Sequence, residues 1–183
     1  MGTGTVGVVY ADGHMAPGHS PGCMNTGNLN FLANGVYDAE LGGTAACTDY
    51  DQLKVTGTVD INTNATLNTT LYNNFQPATG NTFTIIDNDG SDAVTGNFKN
   101  LPEGATFNLG NAVVKISYKG GDGNDVVLTV VAVTAGASAL QKPNTGVQLV
   151  TNHPVITLLT TTALAVGIYT LANKDKLAIL RRR

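Results

Sequence analysis

Grouped carboxylates are the residues of this 183-residue chain whose types and spacing come nearest to catalytic chemistry. Asp49 lies two positions before Asp51, and Asp87, Asp89 and Asp92 form a second group. Glycoside hydrolysis uses such pairs, one carboxyl group acting as an acid and the other as a base or nucleophile. Both groups fall at expected turns, where Asp is favoured because its side chain hydrogen-bonds the nearby backbone. We interpret them as turn residues and expect a protein that is not an enzyme.

A glycine-rich stretch, 120–128, has the spacing of the calcium-binding nonapeptide G-G-x-G-x-D-x-U-x. Asp122, Asn124 and Asp125 would supply oxygen ligands, and Val127 would be buried. Calcium takes about six to eight oxygens, which tandem copies of this repeat provide by stacking. One copy leaves most of that shell unfilled. We therefore favour a hairpin loop without a cofactor and keep calcium as the alternative.

Asp12, His14 and His19 lie close together in the sequence and have side chains that suit a zinc site or an acid–base set. The loop around them offers no third firm ligand at strand or helix spacing. We interpret all three as polar turn residues.

The elements that must position these residues are predicted to be short β-strands. Between residues 52 and 71 apolar and polar side chains alternate with a period of two, which indicates strands with one buried face. Short strands separated by frequent turns are compatible with a β-sandwich or a β-solenoid. Because the chain is low in charge (13%) and in aromatic residues (6%), we favour the solenoid.

Cys23 and Cys47 are the two cysteines, 24 residues apart. Two cysteines are too few for a zinc site, whereas an even number in an exported domain permits one disulfide. Solenoid rungs of about 20–25 residues would stack Cys23 almost directly over Cys47, and rungs ~4.8 Å apart lie within the Cα range of a disulfide. We predict that bond, with free thiols as the alternative.

Charge is divided unevenly along the chain. Up to residue 141, twelve acidic side chains stand against four lysines, so this part is strongly acidic. A surface of that sign repels phosphates, which excludes nucleic acid as a partner. The chain opens without a basic or apolar leader, so we expect the natural N-terminus to lie further upstream.

Four motifs then suggest a family. APGHSPG (16–22), YDQLKVTG (50–57), LPEGA (101–105) and a longer segment, 116–129, that contains GGDGNDVVLT occur in this order. The series resembles the C-terminal end of autotransporter-type passenger domains with β-strand repeats, which belong to large bacterial surface proteins. The resemblance implies a right-handed β-solenoid with a capping β-layer, working as an adhesin or stalk. Autotransporters continue into an outer-membrane barrel, whereas this chain continues into a single apolar segment.

That apolar segment, 154–172, contains no charged residue and at ~1.5 Å per residue is long enough for one transmembrane helix. The basic residues of 173–183 predict a cytoplasmic C-terminus. Lys142, Pro143, Asn144, Thr145 and Gly146 look like a sortase sorting signal of the Leu-Pro-x-Thr-Gly kind, with Lys142 in the place of Leu. The resemblance implies cleavage after Thr145 and attachment to the envelope, and a plain membrane anchor is the alternative.

Together these observations predict an all-β ectodomain (1–131), a linker (132–153), a transmembrane helix (154–172) and a basic tail (173–183). We expect a non-catalytic structural or adhesin-like protein on the outer face of a bacterial cell. Its expected partners are a sortase-like transpeptidase, the cell wall or membrane, and glycans or proteins of host or neighbouring cells. The alternative is the C-terminal module of a surface-anchored β-helix carbohydrate-active enzyme whose catalytic part lies upstream.

Overall fold

The computed structural model describes residues 4–134, and within them it contains strands and no helix. No segment of this part could therefore cross a bilayer as a helix. The predicted transmembrane helix, the basic tail and nearly all of the linker lie outside the described residues. The strands, in chain order, are β1 (Thr5–Val6), β2 (Val9–Ala11), β3 (His14–Met15), β4 (Cys23–Thr26), β5 (Leu29–Phe31), β6 (Val36–Leu41), β7 (Gln52–Val55), β8 (Val59–Ile61), β9 (Thr66–Leu71), β10 (Thr82–Asn88), β11 (Thr95–Gly96), β12 (Thr106–Leu109), β13 (Ala112–Gly120) and β14 (Asp125–Val133).

From β1 to β11, successive strands belong to different sheets, and every third strand pairs in parallel. The first sheet contains β1, β4, β7 and β10 in that order, the second contains β2, β5, β8 and β11, and the third contains β3, β6 and β9. The chain therefore winds in coils: the first three each add one strand to each sheet, and the fourth adds β10 and β11 to the first two sheets. This confirms the all-β prediction, and the parallel sheets are consistent with a solenoid-like arrangement.

The coils are unequal in length, which corrects the predicted rung of about 20–25 residues. Between the first and second coils the step is close to that value, since Asp12 contacts Asn34 across 22 residues. Between the second and third coils it is 30 residues, as in the pairing of Leu29 with Val59. The difference arises because β6 has six residues where β3 has two, and because a longer loop follows β6.

A tight turn recurs at the corner between the second and third sheets. Gly35 N donates to Leu32 O in the second coil, and Ala65 N donates to Asn62 O in the third. A side chain at position 35 would place its Cβ 2.5 Å from the carbonyl oxygen of Ala11, so glycine is required where the coils approach. Repetition of the turn keeps the strands in register.

The inward faces of the three sheets form one hydrophobic core. Leu29 packs in register with Val59 and Phe31 with Ile61, and all four are almost fully buried. The Phe31 ring stacks on Tyr37 at 5.9 Å between centroids. Each side chain of this size contributes about 1.5–3 kcal/mol when fully buried.

One end of the first sheet changes from parallel to antiparallel pairing. β14 pairs antiparallel with β10, β13 with β14, and β12 with β13. The predicted hairpin across residues 119–124 is present between β13 and β14. Because β14 occupies the outer edge of β10, no further coil can add to the first sheet there.

Candidate functional site

Buried polar groups are concentrated where β10 ends. Asn88 is the last residue of β10, Asn124 is the last residue of the turn that joins β13 to β14, and Asp125 is the first residue of β14. Since β10 and β14 are antiparallel neighbours, with Ile86 opposite Val126, the end of one meets the start of the other. Only 1% of Asn88 and 3% of Asn124 is exposed. We name the loop that follows β10 (89–94) the β10 loop, and the turn (121–124) the closing turn.

The two asparagine side chains bind the backbone of the β10 loop. Asn88 Nδ2 donates to Asp92 O at 2.7 Å, and Asn124 Nδ2 donates to both Asp89 O and Asp92 O at 3.2 Å. Asp125 Oδ1 accepts a hydrogen bond from Asn88 N at 2.9 Å. The β10 loop is therefore held against the closing turn by side-chain bonds.

The carboxyl group of Asp125 lies in an acidic environment. Burial raises its pKa above the ordinary value, the Asn88 N–H lowers it, and Asp87 and Asp122 raise it further. Within residues 4–134 the only contact of salt-bridge length between a basic and an acidic side chain joins His14 to Asp38, so no basic side chain lies within that distance of Asp125. The raised pKa favours the protonated form of Asp125 mainly because of burial, and secondarily because Asp87 and Asp122 are like charges.

The residues of the nonapeptide pattern have separate positions in this structure. Asn124 points into the protein, Asp125 caps the end of β10, and Asp122 is exposed in the closing turn. Across residues 4–134 no three His, Cys, Asp or Glu side chains are grouped in a way that could hold a metal ion. Gly121 has φ of +54°, and a Cβ there would lie 1.8 Å from Asp125 Oδ2. Gly121, one glycine of the nonapeptide pattern, is therefore explained by the geometry of the turn.

Cys23 and Cys47 form a disulfide, with a Cα–Cα distance of 4.7 Å. The predicted stacking that led to this pair is wrong, because the residue beside Cys23 on the next coil is Gln52. Cys47 lies in the loop between β6 and β7, with φ of +67°, and the Oε1 atom of Gln52 is 3.8 Å from both sulfur atoms. The bond therefore joins the start of the second coil to the end of the same coil.

Asp51 is a buried carboxylate with a role that the sequence analysis missed. It is 1% exposed, Oδ1 accepts from Gly22 N at 2.7 Å, and Oδ2 accepts from Glu40 N at 2.9 Å. Burial raises its pKa, the two N–H groups lower it, and the Glu40 carboxylate raises it. Asp49 makes a local bond instead, to Ala45 N at 3.2 Å. The two carboxylates thus bind different backbone segments.

The group Asp12, His14 and His19 is not brought together around one point. His14 Nδ1 lies 2.6 Å from Asp38 Oδ2, whereas Asp12 accepts a hydrogen bond from Asn34 Nδ2 at 3.1 Å. Asp38 also accepts from Asn68 Nδ2 at 3.0 Å, so it connects three successive coils on the outer face of the third sheet. Asp38 and Asn68 occupy the same strand position, whereas His14 is in register with Val36, so the contact with His14 had no signal in the strand pattern.

The predicted sorting motif, Lys142 to Gly146, lies outside the described residues and stays a prediction. No protein-family model matches the chain, and no match was found among curated proteins or solved structures.

Proposed function

We propose that this chain is a non-catalytic structural or adhesin-like element of a bacterial cell surface. In this proposal residues 4–134 form the end of a right-handed β-solenoid, with β12, β13 and β14 as its capping layer. The observation that carries the proposal is the succession of coils in three parallel sheets, ended by antiparallel strands. Such an arrangement transmits load and presents side chains at a fixed spacing, which suits a stalk or a display surface.

Hydrogen bonds between neighbouring coils support this role. Thr56 N and Thr56 Oγ1 both donate to Thr26 O at 3.0 Å, and Leu29 N donates to Thr58 O at 2.9 Å. Asp51 adds two bonds that join β7 to segments before β4 and within β6. These contacts connect the second coil to the third through backbone and side-chain bonds, which restrains rotation of one against the other.

The outer face of the third sheet is the surface that we propose for contact with glycans or proteins. It presents the polar row His14, Asp38 and Asn68, at the spacing of successive strands. Carboxylate and amide groups in a row can exchange hydrogen bonds with sugar hydroxyl groups without large rearrangement. Attachment to the envelope by a sortase-like transpeptidase, acting after Thr145, completes the proposal.

Mass spectrometry of the protein recovered from the envelope of a bacterium that produces it tests the attachment. We expect a C-terminus at Thr145 joined to an envelope amine, and a Thr145→Ala variant should lose that linkage. Recovery of chains that end at Arg183 would contradict sorting and leave a membrane anchor.

The absence of catalysis is tested separately on polysaccharides. The purified full chain should bind to one or more polysaccharides without releasing reducing sugar from them. Release of reducing sugar by the purified chain would contradict the proposal and favour a carbohydrate-active enzyme.

A further inference from the structure

Two buried side-chain oxygens at the end of β10 have no hydrogen-bond partner. They are Asn88 Oδ1 and Asn124 Oδ1, the only buried side-chain atoms of this kind among residues 4–134. An unpaired buried acceptor is costly, so native proteins usually satisfy such atoms with a donor, a water molecule or an ion. Two of them, in side chains that share the Asp92 carbonyl oxygen, offer acceptor atoms to a bound ligand.

The orientation of both amides is set by their nitrogen atoms. Asn88 Nδ2 and Asn124 Nδ2 donate to the same carbonyl oxygen, that of Asp92, at 2.7 and 3.2 Å. Rotating either amide by half a turn would place its oxygen against that carbonyl oxygen, and two acceptors repel each other. The unpaired atoms are therefore the oxygens, and each belongs to an amide whose nitrogen donates to the Asp92 carbonyl oxygen.

The segments around these oxygens carry negative charge only. Residues 87–92 and 120–125 include Asp87, Asp89, Asp92, Asp122 and Asp125 and contain no Lys, Arg or His. Asp125 is 7% exposed and lies near enough to Asp87 and Asp122 to feel their charges. A water molecule would satisfy the amide oxygens but would leave this repulsion in place, whereas a cation relieves both.

Amide oxygens, backbone oxygens and carboxylates are the ligands that Ca²⁺ prefers, and calcium tolerates irregular geometry. Nitrogen and sulfur ligands, which zinc and copper favour, are absent from residues 87–92 and 120–125. We propose that Asn88 Oδ1 and Asn124 Oδ1 form the buried side of a calcium site. The carboxylates of the β10 loop and the closing turn supply its charge, with water in the remaining positions.

Because no three His, Cys, Asp or Glu side chains of residues 4–134 are grouped so that they could hold a metal ion, the proposed site depends on the two amide oxygens. A site with two neutral buried ligands binds weakly, in the range of extracellular calcium modules, about 10⁻⁴–10⁻³ M. Its effect would be to hold the β10 loop to the closing turn, and so to stabilise the junction between the parallel coils and the antiparallel strands.

Calorimetric titration of the full 183-residue chain with Ca²⁺, after treatment with a chelator, is the first test. We expect a single saturable site and a Tm that rises with Ca²⁺ concentration, with a smaller rise in Mg²⁺ because Mg²⁺ demands a smaller octahedral shell. No saturable heat and no change in Tm at about 10 mM Ca²⁺, roughly tenfold above the weakest such modules, would overturn the proposal.

The Asn88→Asp variant tests whether the unpaired oxygens bind calcium or a water molecule. This variant keeps an oxygen at the site and adds a charge, but it loses the donor to Asp92 O. We expect a lower Tm than wild type without calcium and a larger calcium-dependent increase, since an added carboxylate tightens calcium sites. Asn97→Asp is the matched control, because Asn97 Nδ2 likewise donates to a backbone carbonyl, that of Phe98. Equal calcium-dependent recovery in both variants, or recovery in neither, would overturn the proposal.

Asp122→Asn keeps the proposal testable if Asn88→Asp does not fold. Asp122 is exposed in the closing turn, so its neutral variant removes charge without altering either amide. We expect calcium binding to weaken by about fivefold. Asp60→Asn, an exposed carboxylate on β8, should leave the affinity unchanged. If both variants weakened calcium binding equally, the cause would be a general effect of surface charge, and the proposed site would be refuted.

Discussion

Replacing Asp51 by alanine should destabilise the protein more than replacing Asp49, the other carboxylate of residues 42–51. The carboxylate accepts hydrogen bonds from Gly22 N and Glu40 N, which belong to two different segments. Alanine leaves both N–H groups without that acceptor inside the protein. Each unsatisfied buried donor costs about 1–3 kcal/mol, so the free energy of unfolding should fall by about 3–5 kcal/mol.

Urea unfolding is the suitable assay, followed by far-ultraviolet circular dichroism or by tyrosine fluorescence, since the chain has six tyrosines and no tryptophan. Asp49→Ala is the matched control. It lies two residues away, and its carboxylate accepts one hydrogen bond, from Ala45 N, in an exposed loop. We expect this control to cost less than about 1 kcal/mol.

The carboxyl group of Asp51 should also make stability depend on pH. Burial raises the pKa of Asp51, so its folded-state pKa lies above its unfolded-state value. A group of this kind stabilises the fold below the unfolded pKa, and that contribution is lost as pH rises through the folded pKa. The stability of wild type relative to Asp51→Asn should therefore increase as pH falls toward 4. Equal urea midpoints for Asp51→Ala and Asp49→Ala, or a pH trend of opposite sign, would refute the reasoning.

Three further predictions concern the disulfide, the closing turn and a buried phenol. Replacing both Cys23 and Cys47 by serine removes the closure of a 24-residue loop and should lower the free energy of unfolding by about 3 kcal/mol, measured by urea unfolding with the oxidised wild type as reference. Gly121→Ala should cost about 1–2 kcal/mol from its φ of +54° alone, and more from the contact with Asp125, whereas Gly13→Ala, with open space around it, should be close to neutral in the same assay. Burial raises the pKa of Tyr118 to about 12, and its hydroxyl group accepts from Phe98 N and donates to Leu101 O. The folded-state pKa is raised, so stability should fall as pH rises from about 10 toward 12, and Tyr118→Phe should remove that part of the alkaline dependence in pH-jump unfolding.

Local patterns in the sequence were sufficient for some elements. The alternation between residues 52 and 71 corresponds to β7, β8 and β9, whose apolar residues face the core. The glycine-rich turn after residue 119 lies between β13 and β14 as expected. In both cases the signal is carried by neighbouring residues, since the side-chain period and the turn chemistry are local properties.

The pairing between coils could not be obtained in the same way. Nothing in the local pattern says that Leu29 lies beside Val59, because loops of different length can separate strands without changing their alternation. The coil length was underestimated for this reason. The disulfide was predicted from the wrong geometry, since Cys47 belongs to a loop and not to a strand that stacks on β4.

The buried polar residues were also beyond sequence reasoning. Asp51 was interpreted as a turn residue, yet its partners lie 29 and 11 residues away. Asparagine is common in turns, so nothing in the sequence marks Asn88 and Asn124 as buried. Their burial depends on the contact between the end of β10 and the start of β14. Only the tertiary fold places their unpaired oxygens in one region.

The disulfide within the second coil has a mechanical consequence. Because Cys23 and Cys47 enclose β4, β5 and β6, they turn this coil into a covalent ring through which tension passes directly between the two sulfur atoms. A chain pulled from both ends would unravel on either side of that ring while the 24-residue segment stays closed. At ~3.4 Å per extended residue, the fully extended chain is about 80 Å shorter with the disulfide intact than after its reduction.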